Sequence, residues 1–396
     1  MKIALIQDEI YLPSYGGGIK ANRYLLEGLA RTGHDCWALT RALTRSSEGP
    51  TTEAEFCTEL RARGATIEVR WPDVFHYVHE GVRVDALNCS DDDQRQAYLV
   101  ERLQELAPDW IIVTDDKRRC MLKAALHARP SRVVMLLQTI IQLPFGPLAV
   151  HASEEYAALM QQTAGIVVIS NFAREYLREH GRLESQLLHL PVYGTGPFRD
   201  LARFDTGYVT LINPCHLKGV EIFLGLAQRL TEIEFAAVPT WGANAQVLQA
   251  LDTMPNVHIL PADDDIESIL AQTRILLVPS LWPETFGYVV PEAMLRGIPV
   301  IASNIGGLPE AKLGVDYLVD VAPGEWRDGA FVTPHQNIAD WERPLRELLE
   351  SRDTYDRCSH DSRQTAMRFA ESISVAPFES FLRERSSPPR SQPDVS

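Results

Sequence analysis

Residues 274–303 join two apolar runs, a polar turn and a helix-forming segment without a gap, and this order constrains the fold most. The runs at 274–278 (RILLV) and 300–302 (VIA) are short and rich in branched apolar residues, which is typical of buried strands. A helix is predicted between them over 288–296, because Gly297 and Pro299 end it. A strand, a helix and a second strand in this order form a parallel α/β unit.

The same alternation fills most of the chain and predicts two units of similar size. Strands are predicted at 3–6, 35–40, 66–69, 110–114, 133–137 and 166–169, and again at 208–213, 234–238, 257–260, 274–278 and 300–302. The proline- and glycine-containing segment 191–205 separates the two series. We therefore predict two facing Rossmann-like domains, at 1–195 and 196–370, with a ligand cleft between them. A helix at 371–385 is expected to cross back to the first domain, and the tail at 386–396 to be disordered.

Composition excludes several classes of function. The 396 residues carry a formal net charge of −15, which argues against a generic nucleic-acid binder. The six cysteines are scattered, so neither a disulfide framework nor a zinc knuckle is predicted. The first residues are too short and too polar for a signal peptide, and the chain lacks an apolar run of transmembrane length. We expect a cytoplasmic protein, and a basic patch around residues 117–132 leaves peripheral contact with a membrane open.

Two short segments are candidates for binding an anion. Gly16, Gly17 and Gly18 follow the first predicted strand, where their backbone amides either bind an anion at a helix start or form a plain tight turn. Lys218 stands at a helix start after the first strand of the second unit. There it either adds positive charge to an anion site or is a surface lysine.

Glu284 and Glu292 lie at the carboxyl end of the 274–278 strand, the edge at which open α/β sheets bind ligands. Two carboxylates at this edge are compatible with a general acid and base, with metal ligands, or with acceptors for sugar hydroxyls. The plainer alternatives are a solvated loop acid for Glu284 and an acid that stabilises the helix N-terminus for Glu292. Spacing alone leaves these alternatives open.

A longer set of residues resembles the retaining glycosyltransferase family 4, of the glycosyl transferases group 1. The set comprises Pro279, Ser280, Glu284, Phe286, Gly287, Glu292, Ala293, Gly297, Pro299, Val300 and the GGLPE sequence at 306–310. Lys218, Gly219 and the SNFA sequence at 170–173 are also similar to that family, and the resemblance extends over residues 1–370. It implies the α/β fold called GT-B, with two facing Rossmann-like domains, parallel sheets and a cleft between them.

The resemblance also implies roles for single residues, with Lys218 and Glu284 as the catalytic pair. The residues implied to bind a nucleotide-diphosphate sugar are Gly17, Gly18, Lys218, Glu284, Phe286, Gly287, Tyr288 and Glu292. Among them, Glu292 is implied to accept hydrogen bonds from the ribose, and Glu284 to contact the donor sugar. Gln138 and Phe145 follow a strand of the first domain and are candidates for contact with the acceptor.

The implied function is that of a hexosyltransferase-type enzyme (EC 2.4) that moves a sugar, with retention, to an acceptor hydroxyl. The acceptor is expected to be a small molecule, a natural product or a saccharide, in carbohydrate or secondary-metabolite biosynthesis. The nucleotide sugar is a co-substrate, with neither a cofactor nor a catalytic metal expected, and the oligomeric state is left open. Other nucleotide-sugar chemistry, such as epimerisation or non-glycosidic coupling, and non-catalytic binding of a sugar nucleotide remain alternatives.

Three positions depart from the family pattern. Gln138 stands where the family often has a histidine, and a glutamine cannot carry a proton or a positive charge. Asn213 stands where it often has an arginine five residues before the lysine, and Tyr193 replaces an asparagine in the linker. These differences bear on the identity of the donor and on the chemistry.

Overall fold

The computed structural model describes residues 1–14, 16–43, 51–71, 73–327 and 329–386. A nine-stranded sheet and its helices form the first domain, and a six-stranded sheet with its helices forms the second. The predicted disordered tail lies outside the described residues except for Ser386, which ends the last helix.

The first sheet has the strand order β3-β4-β5-β2-β1-β6-β7-β8-β9. Its strands are β1 (Lys2–Ile10), β2 (Asp35–Arg41), β3 (Ile67–Trp71), β4 (Val74–His79), β5 (Val82–Leu87), β6 (Trp110–Thr114), β7 (Val133–Leu137), β8 (Gly165–Val168) and β9 (Gln186–Leu187). Its helices are α1 (Gly17–Arg31), α2 (Glu53–Ala62), α3 (Asp92–Leu106), α4 (Met121–Ala128), α5 (Glu154–Met160) and α6 (Asn171–Tyr176), which continues as a π-helical turn over Leu177–Gly181.

One part of the first sheet differs from the prediction, which had only parallel strands. β4 pairs antiparallel with both β3 and β5, and neither β4 nor β5 was predicted. Glu80 and Gly81 join β4 to β5, and both have positive φ. Positive φ at two central residues is the geometry of a tight hairpin turn whose twist matches that of the strands. The sheet is therefore mixed at this edge and parallel from β5 to β9.

The second sheet has the order β12-β11-β10-β13-β14-β15, and all of its pairings are parallel. Its strands are β10 (Tyr208–Ile212), β11 (Phe235–Val238), β12 (Val257–Ile259), β13 (Thr273–Val278), β14 (Val300–Ser303) and β15 (Leu318–Val319). Its helices are α7 (Val220–Arg229), α8 (Ala245–Asp252), α9 (Ile266–Leu270), α10 (Val289–Met294) and α11 (Leu308–Ala311). A separate hairpin, β16 (Glu325–Arg327) and β17 (Ala330–Val332), follows.

Alternation along the strands divides the apolar residues between two layers of the first domain. Ile3 and Leu5 belong to one buried cluster, whereas Ala4 and Ile6 belong to the cluster on the opposite face. Successive side chains of a strand point to opposite faces, and a sheet covered by helices on both sides buries both sets. This explains why the strands of the sequence are nearly continuous apolar runs.

The described part of the chain ends in three helices, α12 (Ile338–Glu350), α13 (Arg352–Glu371) and α14 (Ala376–Ser386). The last of these packs on the first domain. Trp110 Nε1 donates a 3.1 Å hydrogen bond to Ser386 Oγ, and Arg385 Nε donates one of 3.1 Å to the carbonyl of Ala164. Phe381 is buried in the same cluster as the apolar residues of β1. Within the described ranges, we find no helix that combines the length and apolar character needed to cross a membrane.

Candidate functional site

The loops at the carboxyl ends of β10 and β13 bring Lys218 and Glu284 together. Lys218 ends a short 3-10 helix, and Gly219 follows it with φ of 71°. A Cβ atom at Gly219 would overlap the carbonyl oxygen of Pro279, so this position requires glycine. The close approach places the end of the 3-10 helix directly against the turn that carries Glu284.

Lys218 and Glu284 form an ion pair in this loop region. The Lys218 ammonium contacts Glu284 Oε1, and Ser280 Oγ donates a 2.7 Å hydrogen bond to the same oxygen. The side chains are 26% and 16% exposed, so the pair is screened less than a surface pair would be. An ammonium has three N–H donors, and the contact with Glu284 does not use them all. The two residues predicted to be catalytic are thus neighbours, and Ser280 was missed as their third member.

The glycines of the GGLPE sequence fix the backbone of the turn that follows Glu284. The N–H of Gly307 donates a 2.7 Å hydrogen bond to the carbonyl of Glu284. Gly306 has φ of 60°, and a Cβ atom there would lie 2.6 Å from the same carbonyl oxygen. Both glycines therefore permit a close approach of two backbones, which holds the segment from Glu284 to Tyr288 in place.

Glu292 lies in α10, with a side chain that is 10% exposed. Burial raises the pKa of its carboxyl group, and the positive charges of Lys20 and Arg296 oppose that rise. The Lys20 ammonium, in α1 of the first domain, lies 3.8 Å from Glu292 Oε1. The carboxylate predicted to bind the ribose is therefore paired with a cation from the other side of the cleft.

The glycine loop, Gln138 and Tyr288 meet across the cleft. The Tyr288 hydroxyl donates a 3.2 Å hydrogen bond to Gln138 Oε1, while Gln138 Nε2 donates one of 3.1 Å to the carbonyl of Gly18. A Cβ atom on Gly17 would lie 2.9 Å from Tyr288 Cδ2, which is closer than a Cβ atom normally approaches another heavy atom. Gln138 thus links the first-domain glycine loop to the second-domain turn, and Phe286 and Gly287 lie in that same turn.

Asp115 positions the backbone of Gln138. Its Oδ1 accepts hydrogen bonds from the N–H groups of Gln138 and Thr139, at 3.2 and 3.1 Å. Burial raises the pKa of Asp115 to about 6, although both N–H donors oppose that shift. The strand end of β6 therefore fixes the loop that follows the adjacent strand β7.

Two further hydrogen-bonded contacts join the domains at the cleft. The N–H of Ile140 donates to Thr285 Oγ1 at 3.3 Å. The Glu310 carboxylate accepts hydrogen bonds from the N–H and the side-chain amide of Asn171, at 2.7 and 3.0 Å. Sequence reasoning noted the segments that contain Asn171 and Glu310 but assigned neither of them a role.

The remaining predicted residues occupy other positions. The ring of Phe145 packs against Gly181, at the end of the π-helical turn after α6. Asn213 has φ of 61°, and its Oδ1 accepts a 2.9 Å hydrogen bond from the N–H of Gly242. Tyr193 is buried in the linker, where its ring packs edge-on against Tyr288 at 6.4 Å. The hydrogen bond between Asn213 and Gly242 therefore shapes a turn beside the loop that carries Lys218.

The predicted basic patch is largely neutralised by neighbouring acids. Lys117 pairs with Glu9, Arg118 pairs with Asp92 at 2.6 Å, and Lys123 pairs with Glu155 at 2.8 Å. Arg132 instead lies over the ring of Trp110, 5.3 Å from its centroid. Paired cations attract an anionic surface less than free ones, so the geometry gives little support for membrane contact through this patch.

Lys20 is the residue that the sequence analysis missed most clearly. It stands in the first turn of α1, where the helix dipole disfavours a positive charge. A lysine two residues after three consecutive glycines, in a turn without an acidic residue, was the available signal. Its partner lies about 270 residues away in the sequence, and no local pattern identifies it.

Part of the chain is similar to a known protein family and to characterised relatives. Residues 245–365 match the family model described as glycosyl transferases group 1. The D-inositol 3-phosphate glycosyltransferase of Corynebacterium efficiens is 31% identical over 121 residues, which cover 31% of this chain and 26% of that protein. The alpha-1,3/1,6-mannosyltransferase alg-2 of Neurospora crassa is 43% identical over 106 residues, which cover 26% of this chain and 20% of that protein.

Solved structures match almost the whole chain at low sequence identity. Sucrose-phosphate synthase from Thermosynechococcus elongatus superposes with a TM-score of 0.70 and 17% identity, and the match covers 97% of this chain and 98% of that one. HepE from Anabaena, in complex with UDP and glucose, superposes with a TM-score of 0.67 and 17% identity over the same shares. At this identity the likeness shows the fold, and it confirms the predicted GT-B architecture.

The chain spans only about a quarter of the length of the curated relatives it matches. The narrower assignment to family 4 stays a prediction. The chain combines a GT-B fold with a segment, residues 245–365, that matches the glycosyl transferases group 1, so the predicted resemblance to these glycosyltransferases is confirmed.

Proposed function

We propose that this protein is a glycosyltransferase that moves a sugar, with retention, from a nucleotide-diphosphate donor to an acceptor hydroxyl. The observation that carries the proposal is the pairing of Lys218 with Glu284 at the carboxyl edge of the second sheet. The glycine loop of the first domain faces this edge, with Gly17 against Tyr288. A sugar diphosphate can be bound by such a set of groups. It comprises a cation for the phosphates, a carboxylate for the sugar hydroxyls and two glycine-containing backbone segments.

Lys218 is proposed to bind the diphosphate. Cleavage of the bond between the sugar and the phosphate leaves negative charge on the diphosphate, and a fixed cation stabilises that charge as it develops. The backbone amides of Phe286, Gly287 and Tyr288 are proposed to add neutral donors, because the packing of Gly306 and Gly307 holds this segment rigid. These groups supply the electrostatic part of catalysis, so the proposal includes neither a metal ion nor a further cofactor.

Glu284 is proposed to accept hydrogen bonds from hydroxyls of the donor sugar, and Glu292 from the ribose. Glu284 Oε1 accepts from both Lys218 and Ser280, and these two contacts fix the position of the carboxylate. The anomeric carbon then exchanges its bond to phosphate for a bond to the acceptor oxygen on the same face. The acceptor proton passes to the departing diphosphate, and a protein base is not required.

The acceptor is proposed to be a hydroxyl-bearing small molecule, natural product or saccharide, bound on the side of the first domain. Gln138 supports this position because its side chain reaches Tyr288 at the cleft. The Anabaena structure was solved with UDP and glucose, which supports a nucleotide donor without fixing its base for this chain. A cytoplasmic location is proposed as well, since it is where nucleotide sugars are made available to such enzymes.

The first test is a thermal-shift screen against UDP-, GDP-, ADP- and dTDP-sugars. A specific donor at 100 times its Kd should stabilise the fold by about 2.7 kcal/mol. The second test measures release of nucleoside diphosphate with and without a library of hydroxyl acceptors, in buffer that contains EDTA. We expect acceptor-dependent release that survives EDTA, and a product with the anomeric configuration of the donor by NMR.

Each alternative predicts a different outcome. A protein that only binds sugar nucleotides would be stabilised by a donor but would release no nucleoside diphosphate with any acceptor. An epimerase would convert the donor sugar without consuming an acceptor, and an inverting enzyme would give the opposite anomer. The absence of stabilisation by any of the donors would overturn the proposal as a whole.

A further inference from the structure

Lys20 occupies an unfavourable position that its own helix does not explain. It is the fourth residue of α1, and the residues from Gly17 to Lys20 include no acid to offset its charge. The positive end of the helix dipole repels a cation in this turn. The side chain is nevertheless only 13% exposed, and its ammonium extends out of the first domain to Glu292 in the second.

Glu292 depends on this contact. Burial raises the pKa of its carboxyl group, and the positive charge of Lys20 opposes this rise more than any other group does. Arg296 also opposes it, but the Arg296 guanidinium donates to the backbone carbonyl of Glu292 and lies 3.7 Å from Glu267. Tyr193, which is buried, and Tyr288, which is half-buried, interact with this carboxylate, and a raised pKa keeps both phenols neutral. Lys20 is therefore the cation committed to the Glu292 carboxylate.

A nucleotide would break this pairing. On the proposed function, which this step presupposes, the ribose hydroxyls donate to Glu292 and satisfy the carboxylate with neutral groups. Lys20 would then be a poorly exposed cation without a partner, which is costly unless an anion replaces Glu292. The diphosphate of the same nucleotide is the anion that arrives with the ribose.

We propose that Lys20 is a second cation of the diphosphate site, supplied by the first domain and exchanged from Glu292 to the nucleotide when the donor binds. The position of α1 supports this exchange. Gly17 and Gly18 begin the helix and lie against Tyr288 and Gln138, so the helix start, Tyr288 and Lys20 lie together where the two domains meet. A lysine suits an exchange of partners because its flexible stem carries a compact charge with three rotatable donors.

The proposal gives the diphosphate one lysine from each domain, Lys218 from the second and Lys20 from the first. Binding of the diphosphate would then draw the two domains together, whereas a nucleoside monophosphate would engage this arrangement less completely. Lys20 is a binding and positioning residue in this scheme. Its removal should be felt in the discrimination between diphosphate and monophosphate.

The test compares Lys20→Met with the wild-type protein by calorimetric titration with UDP and UMP, repeated with GDP and GMP and with ADP and AMP. For the base that the wild type binds, the variant should lose about tenfold or more in affinity for the diphosphate, the size expected for one charge-assisted contact. Its affinity for the monophosphate should change less than threefold. Lys20→Arg, which keeps the charge, should restore much of the discrimination.

Two controls separate this role from a structural tie between the domains. Lys117→Met removes one positive charge from a 47% exposed side chain of the first domain and should leave both affinities unchanged. Glu292→Gln should weaken diphosphate and monophosphate alike, because both contain the ribose. If Lys20→Met weakens the two nucleotides equally, Lys20 only ties the domains together and the inference is wrong. If the wild type binds no nucleoside diphosphate, both this inference and the proposed function are wrong.

Discussion

The backbone N–H of Asn171 in the first domain donates a 2.7 Å hydrogen bond to the carboxylate of Glu310 in the second. The side-chain amide of Asn171 donates to the other carboxylate oxygen at 3.0 Å. Asn171 is the first residue of α6, whose N-terminus is already capped by Ser170, with Ser170 Oγ accepting from the N–H of Ala173 at 3.1 Å. Glu310 therefore caps a helix of the other domain, and this contact depends on the distance between the domains.

We expect Glu310→Ala to favour a more open arrangement of the two domains. The substitution removes the acceptor of two hydrogen bonds and leaves the first N–H of α6 to water. Hydrogen–deuterium exchange at the amide of Asn171 should become faster, and the radius of gyration measured by small-angle scattering should increase. Glu101→Ala, at an exposed position of α3, is the matched control. Unchanged exchange at Asn171 would show that the contact does not hold the domains together in solution.

Lys218→Ala should lower kcat by about a hundredfold or more, the effect typical of one lost donor to a developing negative charge. The fold should survive, because the Lys218 side chain is 26% exposed and its main contact is with Glu284. Steady-state kinetics with the donor found in the thermal-shift screen measure the effect. Lys123→Ala, at a 40% exposed position of the first domain, should retain the full rate. A wild-type rate in Lys218→Ala would remove Lys218 from the diphosphate site.

Glu284→Gln should change the choice of donor sugar more than the affinity for the nucleotide. Glutamine keeps the shape and one acceptor oxygen but loses the charge that holds Lys218 and Ser280. The ratio of kcat/KM between two sugars on the same nucleotide should therefore fall, while Kd for the free nucleoside diphosphate should stay within a few fold. The reverse result would mean that Glu284 serves the ribose and Glu292 the sugar.

The order of strands and helices was predictable where it depends on local signals. The strands at 110–114 and 133–137 have the predicted bounds, because both are uninterrupted apolar runs between polar turns. The hairpin β4–β5 was missed although Glu80 and Gly81 offered a turn signal. Its strands mix polar and apolar residues at the sheet edge, so their composition resembles that of a loop.

The candidate site was predictable in part for the same reason. Lys218 and Glu284 follow strands of one sheet, and parallel strands bring their carboxyl ends to a common edge. The pairing of Lys20 with Glu292 has no local cause, because it depends on how two separately folded domains approach each other. The position of the Phe145 ring was not predictable for a local reason. Its packing against Gly181 depends on a π-helical turn that the sequence pattern does not reveal.

Gly219→Ala should displace Lys218 without altering its chemistry. Alanine at φ of 71° is strained, and its Cβ would overlap the carbonyl oxygen of Pro279. We expect a lower melting temperature. We also expect a loss of activity that is larger than the fraction of unfolded protein would cause. Gly314→Ala, at a φ of 81° with open space around the position, controls for backbone strain. Equal activity of the two variants would argue that the contact with Pro279 does not position Lys218.

Lys312 is fully buried in the second domain, where its ammonium donates to the carbonyl of Val300. Burial lowers the pKa of this lysine from 10.5 to about 8. Between pH 8 and 10.5 the unfolded chain therefore holds a proton that the folded protein has lost. Because the unfolded state binds more protons in this window, stability should rise with pH across it, and the full cost of the buried charge is present below pH 8.

Lys312→Met should consequently raise the free energy of unfolding at pH 7, by about 2–3 kcal/mol if the thioether fills the space of the aliphatic stem. The gain should shrink as pH rises from 8 to 10.5, because the cost of removing the proton from the wild-type lysine on folding decreases across this window. Urea unfolding at pH 7, 9 and 10 measures the difference between the two proteins, which cancels the titration of other groups. Lys123→Met, which replaces a 40% exposed side chain, should show no such trend. A difference between Lys312→Met and wild type that does not vary with pH would mean that the buried ammonium keeps an ordinary pKa.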